Sequence, residues 1–189
     1  MSNDGWVLLV IPKIGYNLII KNVLVGRRGI MRLKFYDQTD YSLIEQYMLS
    51  QEQLLYTMSP MASLKLSETD INRHAILAMK GEKLVTFFVL HENEGVKPYS
   101  ENNQAILIRG FSTDMHEQGK GYAKEALQLL PTFVRLHFPT INELVLGVNF
   151  PNTAAQALYK KCGFVDEGIC AVGIKSELKV MSYYLQSDH

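Results

Sequence analysis

A surplus of charge of either sign is missing from this sequence. Its 189 residues carry 19 Lys and Arg against 19 Asp and Glu, for a formal net charge of +0. Without a basic excess, nothing supports a general nucleic-acid-binding role. Cysteine is scarce: the chain has 2, Cys162 and Cys170. They make neither a zinc pattern nor a C-x-x-C redox pair, so no metal site is expected. Cys162 follows a helical stretch and stands before Gly163, which reads as a buried free thiol, and a reducing cytoplasm fits that use. Long hydrophobic runs are absent too. "WVLLVIP" and "NLII" near the start are apolar but short, interrupted by Lys13 and Lys21. Neither approaches the roughly 20 residues of a membrane helix. A signal peptide places its positive charge ahead of its apolar stretch, whereas here Asp4 comes first and the lysines follow.

What is present suits one soluble domain with a real core, since 47% of the residues are apolar and 20% charged. Its start is in question. "MRLKFYDQTDYSLIEQYML" from Met31 reads as the opening of a domain, and "GRRGI" stands just before it. Were Arg27 and Arg28 encoded AGG-AGG, the DNA there would be a bacterial ribosome-binding site placed to start translation at Met31. Residues 1–30 are therefore expected to be an extension outside the core fold, and 31–189 a single domain. Four basic residues (Lys13, Lys21, Arg27, Arg28) and one acid (Asp4) precede Met31, so the remainder is mildly acidic. That balance weakly favours a cationic or amine substrate.

Along the core, "RLKFYD" at 32–37 is a short strand. Apolar residues Leu43, Ile44, Tyr47 and Met48 give 39–49 a helical spacing, with Thr39 or Asp40 as its N-cap. "SQEQLLYTMSPMASLKL" is a second helical region, broken at Pro60. "HAILAMKGEKLVTFFVLHE" reads as two strands joined at "KGEK", and "GVKPYSENN" as a loop. A nearly continuous strand follows at 105–113, then a glycine-rich stretch, then a helix to about residue 137 that Pro131 should kink. A strand at 143–149 leads to the helix "NTAAQALYKKCG", capped by Asn152 or Thr153 and ended by Gly163. "GFVDEGIC" and "KVMSYYL" are closing strands. The order predicts an α/β fold with hairpins and a mixed sheet.

The glycine stretch, "MHEQGKGYAKEAL" at 115–127, lies between a strong strand and a strong helix. Gly119 and Gly121 let the backbone turn sharply and let a ligand approach with no Cβ in the way. The first amides of the following helix have no intrahelical partner and sit at the positive end of its dipole. Such a turn can be a plain connection, or it can hold an anion such as pyrophosphate, with Lys120 adding charge. A Walker loop needs G-x-x-x-x-G-K-S/T, but here Gly121 follows the lysine. The dinucleotide fingerprint needs a glycine where Lys124 stands, and should lie in the first βαβ unit of the chain.

One pattern does fit. Gln118, Gly121 and Ala123 match Q/R-x-x-G-x-G/A as "QGKGYA". This resembles the acetyl-CoA-binding motif of the GNAT superfamily of acyl-CoA N-acyltransferases. The strand before it, "ILIRGFST", looks like that family's central strand. The later "VNFPNTAAQALYKKCGF" is similar to its second motif, in which an asparagine opens a helix, a tyrosine follows and the helix ends in G-F; here these are Asn152, Tyr159, Gly163 and Phe164. The resemblance covers roughly residues 32–185.

The resemblance implies a central twisted sheet with helices on both faces, in which a splayed strand pair holds coenzyme A. The pantetheine arm would bond backbone near Phe111, Ser112 and Thr113. The pyrophosphate would sit on Gln118, Gly119, Lys120, Gly121, Tyr122 and Ala123. Asn152 would bond the arm from the other side, or act only as an N-cap; Lys161 would touch phosphate or lie solvated. The implied reaction is direct attack of a primary amine on the thioester of acetyl-CoA, with no metal. Tyr159 is the candidate acid for the leaving thiolate, its alternative being a core aromatic on the apolar face of Ala155 and Leu158. No general base stands out among Glu52, Glu92, Glu94, Glu101 and His91, and a water chain would serve as well; His116 reads as exposed. Tyr56, Met58, Met61 and Tyr99 are candidate pocket walls. A polyamine-like or other small amine is the first acceptor expected, a protein or peptide amine the second. A non-catalytic acyl-CoA sensor is the competing class. A homodimer through a sheet edge such as "VMSYYL" is also open.

Overall fold

The computed structural model describes residues 29–173 and 177–185. Among these residues seven strands form one sheet: β1 (Met31–Phe35), β2 (Arg73–Lys80), β3 (Lys83–His91), β4 (Ala105–Thr113), β5 (Glu143–Asn149), β6 (Val165–Val172) and β7 (Glu177–Tyr184). The order is β1-β2-β3-β4-β5-β7-β6. Among the described residues only β4 and β5 run parallel; every other pair is antiparallel. The helices are α1 (Tyr41–Gln46), α2 (Gln51–Tyr56), α3 (Pro60–Thr69), α4 (Tyr122–His137) and α5 (Thr153–Lys161). The expected mixed α/β sheet is thus what the chain forms. Among the described residues no helix is long and apolar enough to cross a membrane.

Strands β2 to β5 read as near-continuous apolar runs because both their faces are covered. On one face, Ile76, Phe88, Leu90, Ile106, Ile108, Leu144 and Leu146 pack with α4 and with Tyr159 of α5. On the other, Leu77, Phe87 and Val89 pack with Ile44 and Leu64 of α1 and α3. The expected hairpin is present: Lys80 pairs with Lys83, and Gly81 turns between them at φ 61. Helix α4 runs on through Pro131, whose ring is buried in the core side with Leu127, Leu130 and Val134.

Several expectations shift. The first helix is six residues long, not the span 39–49. Neither Thr39 nor Asp40 caps it with its side chain. Asp37 instead makes a capping box over a short 3-10 turn at Gln38–Asp40, and Asp40 is buried against Lys34. Pro60 does not merely break a helix; it occupies the first turn of α3, where its missing N–H costs nothing, behind the Ser59 cap. Cys162 is half-buried rather than buried. Strand β7, which carries "VMSYYL", is no sheet edge. It pairs with β5 on one side and β6 on the other, so among the described residues the sheet ends at β1 and β6. Met31 opens β1 and is buried. The extension expected at 1–30 lies, apart from Gly29 and Ile30, outside the described residues.

Candidate active site

Strands β4 and β5 pair only from Ala105 with Glu143 to Ile108 with Leu146. Beyond that level β4 continues to Thr113 and β5 to Asn149, so the two strands part. A bulge in β4 explains the divergence. Val89 of β3 stands opposite Arg109 and Phe87 opposite Ser112, leaving Gly110 and Phe111 against the single residue Phe88. Gly110 takes φ 59, the left-handed conformation a bulge of this kind requires. The extra residue turns β4 away from β5 and opens a wedge between them.

On its β4 side the wedge has main chain that pairs with no residue of β5. The Asp114 N–H donates to the Val85 carbonyl at 3.1 Å, and Ser112 pairs with Phe87. Ser112 therefore faces β3, and its carbonyl accepts a further bond from the Tyr47 hydroxyl at 2.6 Å. Strand alternation turns Phe111 and Thr113 toward the wedge. Of the three strand residues expected to meet an inserted arm, Phe111 and Thr113 turn toward the wedge, while the Ser112 carbonyl is engaged by Tyr47 and the Thr113 carbonyl by Gln53. Helix α2 spans the mouth: Gln53 Nε2 donates to the Thr113 carbonyl at 2.7 Å, and Asn149 Nδ2 to the Tyr56 carbonyl at 3.4 Å.

At the end of β4 the chain enters the glycine turn. Buried Asp114 braces its start, accepting from the N–H groups of Met48 at 2.8 Å and His116 at 2.9 Å. Buried Glu117 braces its middle, bonded to Lys83 Nζ at 2.5 Å and Lys120 Nζ at 3.0 Å. Lys120 thus shares its charge with a carboxylate rather than presenting it whole. The Lys83 bond holds the Glu117 carboxyl below its ordinary range, with Lys120 adding to the effect. A group whose folded pKa is depressed stabilises the fold above its unfolded value and loses that contribution as pH falls through the folded one. Glu117→Gln is therefore expected to lower Tm by about 2–4 °C near neutral pH, with the difference from wild type shrinking in acid; thermal melts across pH measure both.

Gly119 and Gly121 take φ 74 and 83, and a Cβ built on either would meet nothing within 4 Å. Packing does not demand glycine here; the left-handed backbone conformation does, and the space in front of it is open. Gly121 is the N-cap of α4 and puts no side chain over the first amides of the helix. Gln118 and Lys120 are exposed, and Tyr122 and Ala123 half-buried. Lys80 Nζ lies 5.7 Å from the centre of the Tyr122 ring. The turn is thus an open cradle of amides at a positive helix end, and it fits a pyrophosphate.

Tyr159 approaches the wedge from α5. It is buried, with its ring centre 6.2 Å from that of Phe111 and 5.8 Å from that of Phe164. Among the described residues its hydroxyl makes no hydrogen bond, whereas the buried Tyr47 hydroxyl does. Burial raises the Tyr159 pKa well above the ordinary phenol value, so the group keeps its proton. Asn152 caps α5, its Oδ1 accepting from the Ala155 N–H at 3.1 Å; only its amide NH2 is left for a ligand. Lys161 and His116 are exposed.

The candidate bases fare less well. Glu92 pairs with His74 at 2.8 Å, Glu94 with Lys97, and Glu52 and Glu101 are exposed. His91 does not face solvent: it is buried, with Nε2 3.2 Å from Asp70 and Nδ1 3.1 Å from Arg109 Nη1. The candidate walls divide. Met61 packs into the α1–α3 core, Met58 is exposed, and Tyr99 stands over Gly147 of β5. A cavity of about 200 Å³ lined by Asn93, Lys97, Asn102 and Ala105 lies at the opposite end of β4 from the wedge. Among the described residues no group of three or more His, Cys, Asp or Glu could hold a metal ion.

A bulged strand, a wedge beside it and an amide cradle at its end define a fold that binds an acylated pantetheine carrier. Residues 38–164 match the Acetyltransferase (GNAT) family, and the chain belongs to it; it is an acetyl-CoA-dependent N-acetyltransferase. It is 33% identical over 154 residues to an uncharacterized N-acetyltransferase, YbbJ, of Bacillus subtilis, covering 81% of this chain and 96% of that protein. Among solved structures it is similar to the spermidine N-acetyltransferase of Vibrio cholerae in complex with CoA and spermine, with a TM-score of 0.61, 18% identity, and coverage of 82% of this chain and 95% of the other. It is also similar to the aminoglycoside acetyltransferase AAC(6')-Ib with coenzyme A and kanamycin, with a TM-score of 0.67, 13% identity and coverage of 82% and 95%. At such identities these two structures speak to the fold and not to the acceptor.

Proposed function

We propose that this protein transfers the acetyl group of acetyl-CoA to a primary amine of a small molecule, by direct attack within the wedge between β4 and β5. The observation that carries the proposal is the continuity of three features: the parting beyond Ile108 and Leu146, the stretch of β4 at Phe111 and Thr113 that pairs with no residue of β5, and the amide cradle from Gln118 to Ala123. Acetyl-CoA supplies an activated acetyl thioester; the chain supplies position and protons. Phe111 and Thr113 orient the arm through their main chain, with the Asn152 amide NH2 opposite. The cradle holds the pyrophosphate. Tyr159, kept protonated by burial, gives its proton to the leaving sulfur.

The attacking amine, if an alkyl amine, has a pKa near 10 and must shed a proton first. His91 has both ring nitrogens engaged, and the glutamates are paired or exposed. Water reaching the wedge is therefore proposed to carry the proton away. A homodimer, if formed by strand pairing, would use β1 or β6, the outer strands among the described residues.

Calorimetric titration with acetyl-CoA, followed by thiol release over a panel of amines, tests the proposal. Micromolar binding with thiol release for one amine class is expected. Binding without release across polyamines, amino acids and peptides would turn the protein into an acyl-CoA sensor. Absence of binding would remove the cradle.

A further inference from the structure

Arg109 occupies the last position of β4 before the bulge. It lies on the face of Leu107, which packs with Val96, Val145 and Tyr99. The parallel register ends at Ile108 with Leu146, so Arg109 and Gly147 are the first pair of positions at which the strands have parted. On β5 there is no side chain at that level, and a Cβ on Gly147 would come within 2.7 Å of Tyr99 Cε1. Arg109 and Gly147 thus stand at the first open level between the strands, with the Tyr99 ring over Gly147. The loop that carries Tyr99 is pinned in place: Ser100 and Asn102 both bond the buried Glu143 carboxylate at 3.0 Å.

The guanidinium is half-buried and held in one place. Its Nη1 donates to His91 Nδ1 at 3.1 Å. That bond requires the imidazole to carry its proton on Nε2, which faces Asp70 Oδ2 at 3.2 Å. Burial, with Arg73 and Arg109 nearby, pushes the His91 pKa down, so the ring is neutral and cancels no charge. Asp70 is matched by Arg73, whose Nε is 3.0 Å from the same oxygen. Among the described residues no carboxylate forms an ion pair with Arg109. The sheet face at the level where β4 and β5 part therefore carries an oriented cation, partly desolvated, with donors left over. A cation so placed favours an anion within reach and disfavours a second cation.

We propose that Arg109 binds a carboxylate of the acceptor, so that the acceptor is an amine bearing a carboxylate, such as an amino acid or short peptide, rather than a polyamine. The planar guanidinium and a planar carboxylate match in geometry, and a bonded pair excluded from bulk water is strong. His91 and Asp70 are positioning residues that fix the guanidinium. The inference rests on the reading of the wedge as the site of transfer.

The test pairs each acid with its carboxamide. Thiol release is measured for amino acids and dipeptides with a free carboxylate, for the same compounds as carboxamides, and for spermidine. Wild-type protein is expected to prefer the acids by about tenfold or more in kcat/KM, mostly through KM. Arg109→Met should bring the acid-to-carboxamide ratio close to one, and Arg109→Lys should restore part of it. Acetyl-CoA affinity, measured separately, reports whether each variant is folded. Binding of N-acetylated acids and their carboxamides to the protein with CoA gives the preference without turnover. Equal use of acid and carboxamide, preference for spermidine, or an unchanged ratio in Arg109→Met overturns the inference. If acetyl-CoA still binds, the transferase reading survives that result; a protein that binds no acetyl-CoA overturns both.

Discussion

Gly121→Val is expected to weaken acetyl-CoA binding by about 100-fold or more, in a calorimetric titration against wild type. Two effects combine. Gly121 sits at φ 83, a region that costs a β-branched residue roughly 1–2 kcal/mol, so the turn will shift to relieve it. The larger effect is on the ligand side. A Cβ at this position points into space with nothing within 4 Å, in front of the uncapped first amides of α4. That is where the pyrophosphate is proposed to lie, and valine would fill it. Charge-assisted bonds from those amides are each worth about 1.5–3 kcal/mol, so displacing two of them accounts for the loss. Gly121→Asn separates the effects, because asparagine tolerates the left-handed conformation but still carries a Cβ. If Asn binds acetyl-CoA as tightly as glycine, the position serves backbone geometry only. If Val does too, no phosphate cradle exists here.

The parts of this site built from continuous sequence were legible in advance. Strands β4 and β5 have the residues expected of them, 105–113 and 143–149, because long apolar runs bounded by polar turns leave little choice. Helix α4 ends at His137 as its pattern suggested. The cradle was visible as glycines between a strand and a helix. The bulge had a signal that went unused: Gly110 lies inside a nine-residue strand, and an isolated glycine there marks a bulge or a close approach. Other features had no local signal. Asp114 braces the turn by reaching Met48, 66 residues away. Glu117, in the turn after β4, meets Lys83 at the start of β3. His91, Asp70 and Arg109 converge from β3, the end of α3 and β4. Each is a polar residue in a stretch where charge is ordinary, and only the sheet order brings the partners together. The same holds for β7, which reads like a terminal edge strand but inserts between β5 and β6.

Tyr159→Phe should reduce turnover by about 100-fold while leaving acetyl-CoA affinity within about twofold of wild type. The ring is what the fold uses: it packs against Phe111 and Phe164, and phenylalanine keeps that packing. The hydroxyl has no hydrogen-bond partner among the described residues, so its removal orphans nothing. Only the proton for the leaving sulfur is lost. Burial holds the pKa of the hydroxyl above its ordinary value near 10, which fixes the expected pH dependence. The acid form persists across the working range, so kcat should show no alkaline decline from this group below about pH 10. The acidic limb, where the amine substrate is protonated, should remain in both proteins. A direct readout is the ratio of wild-type to variant kcat against pH, which should be flat from about pH 6 to 9. A ratio that falls toward one at high pH would mean that Tyr159 loses its proton within that range and stops serving as the acid, against the raised pKa. Equal losses in turnover and acetyl-CoA affinity would mean that the hydroxyl holds the site together and does not serve the chemistry.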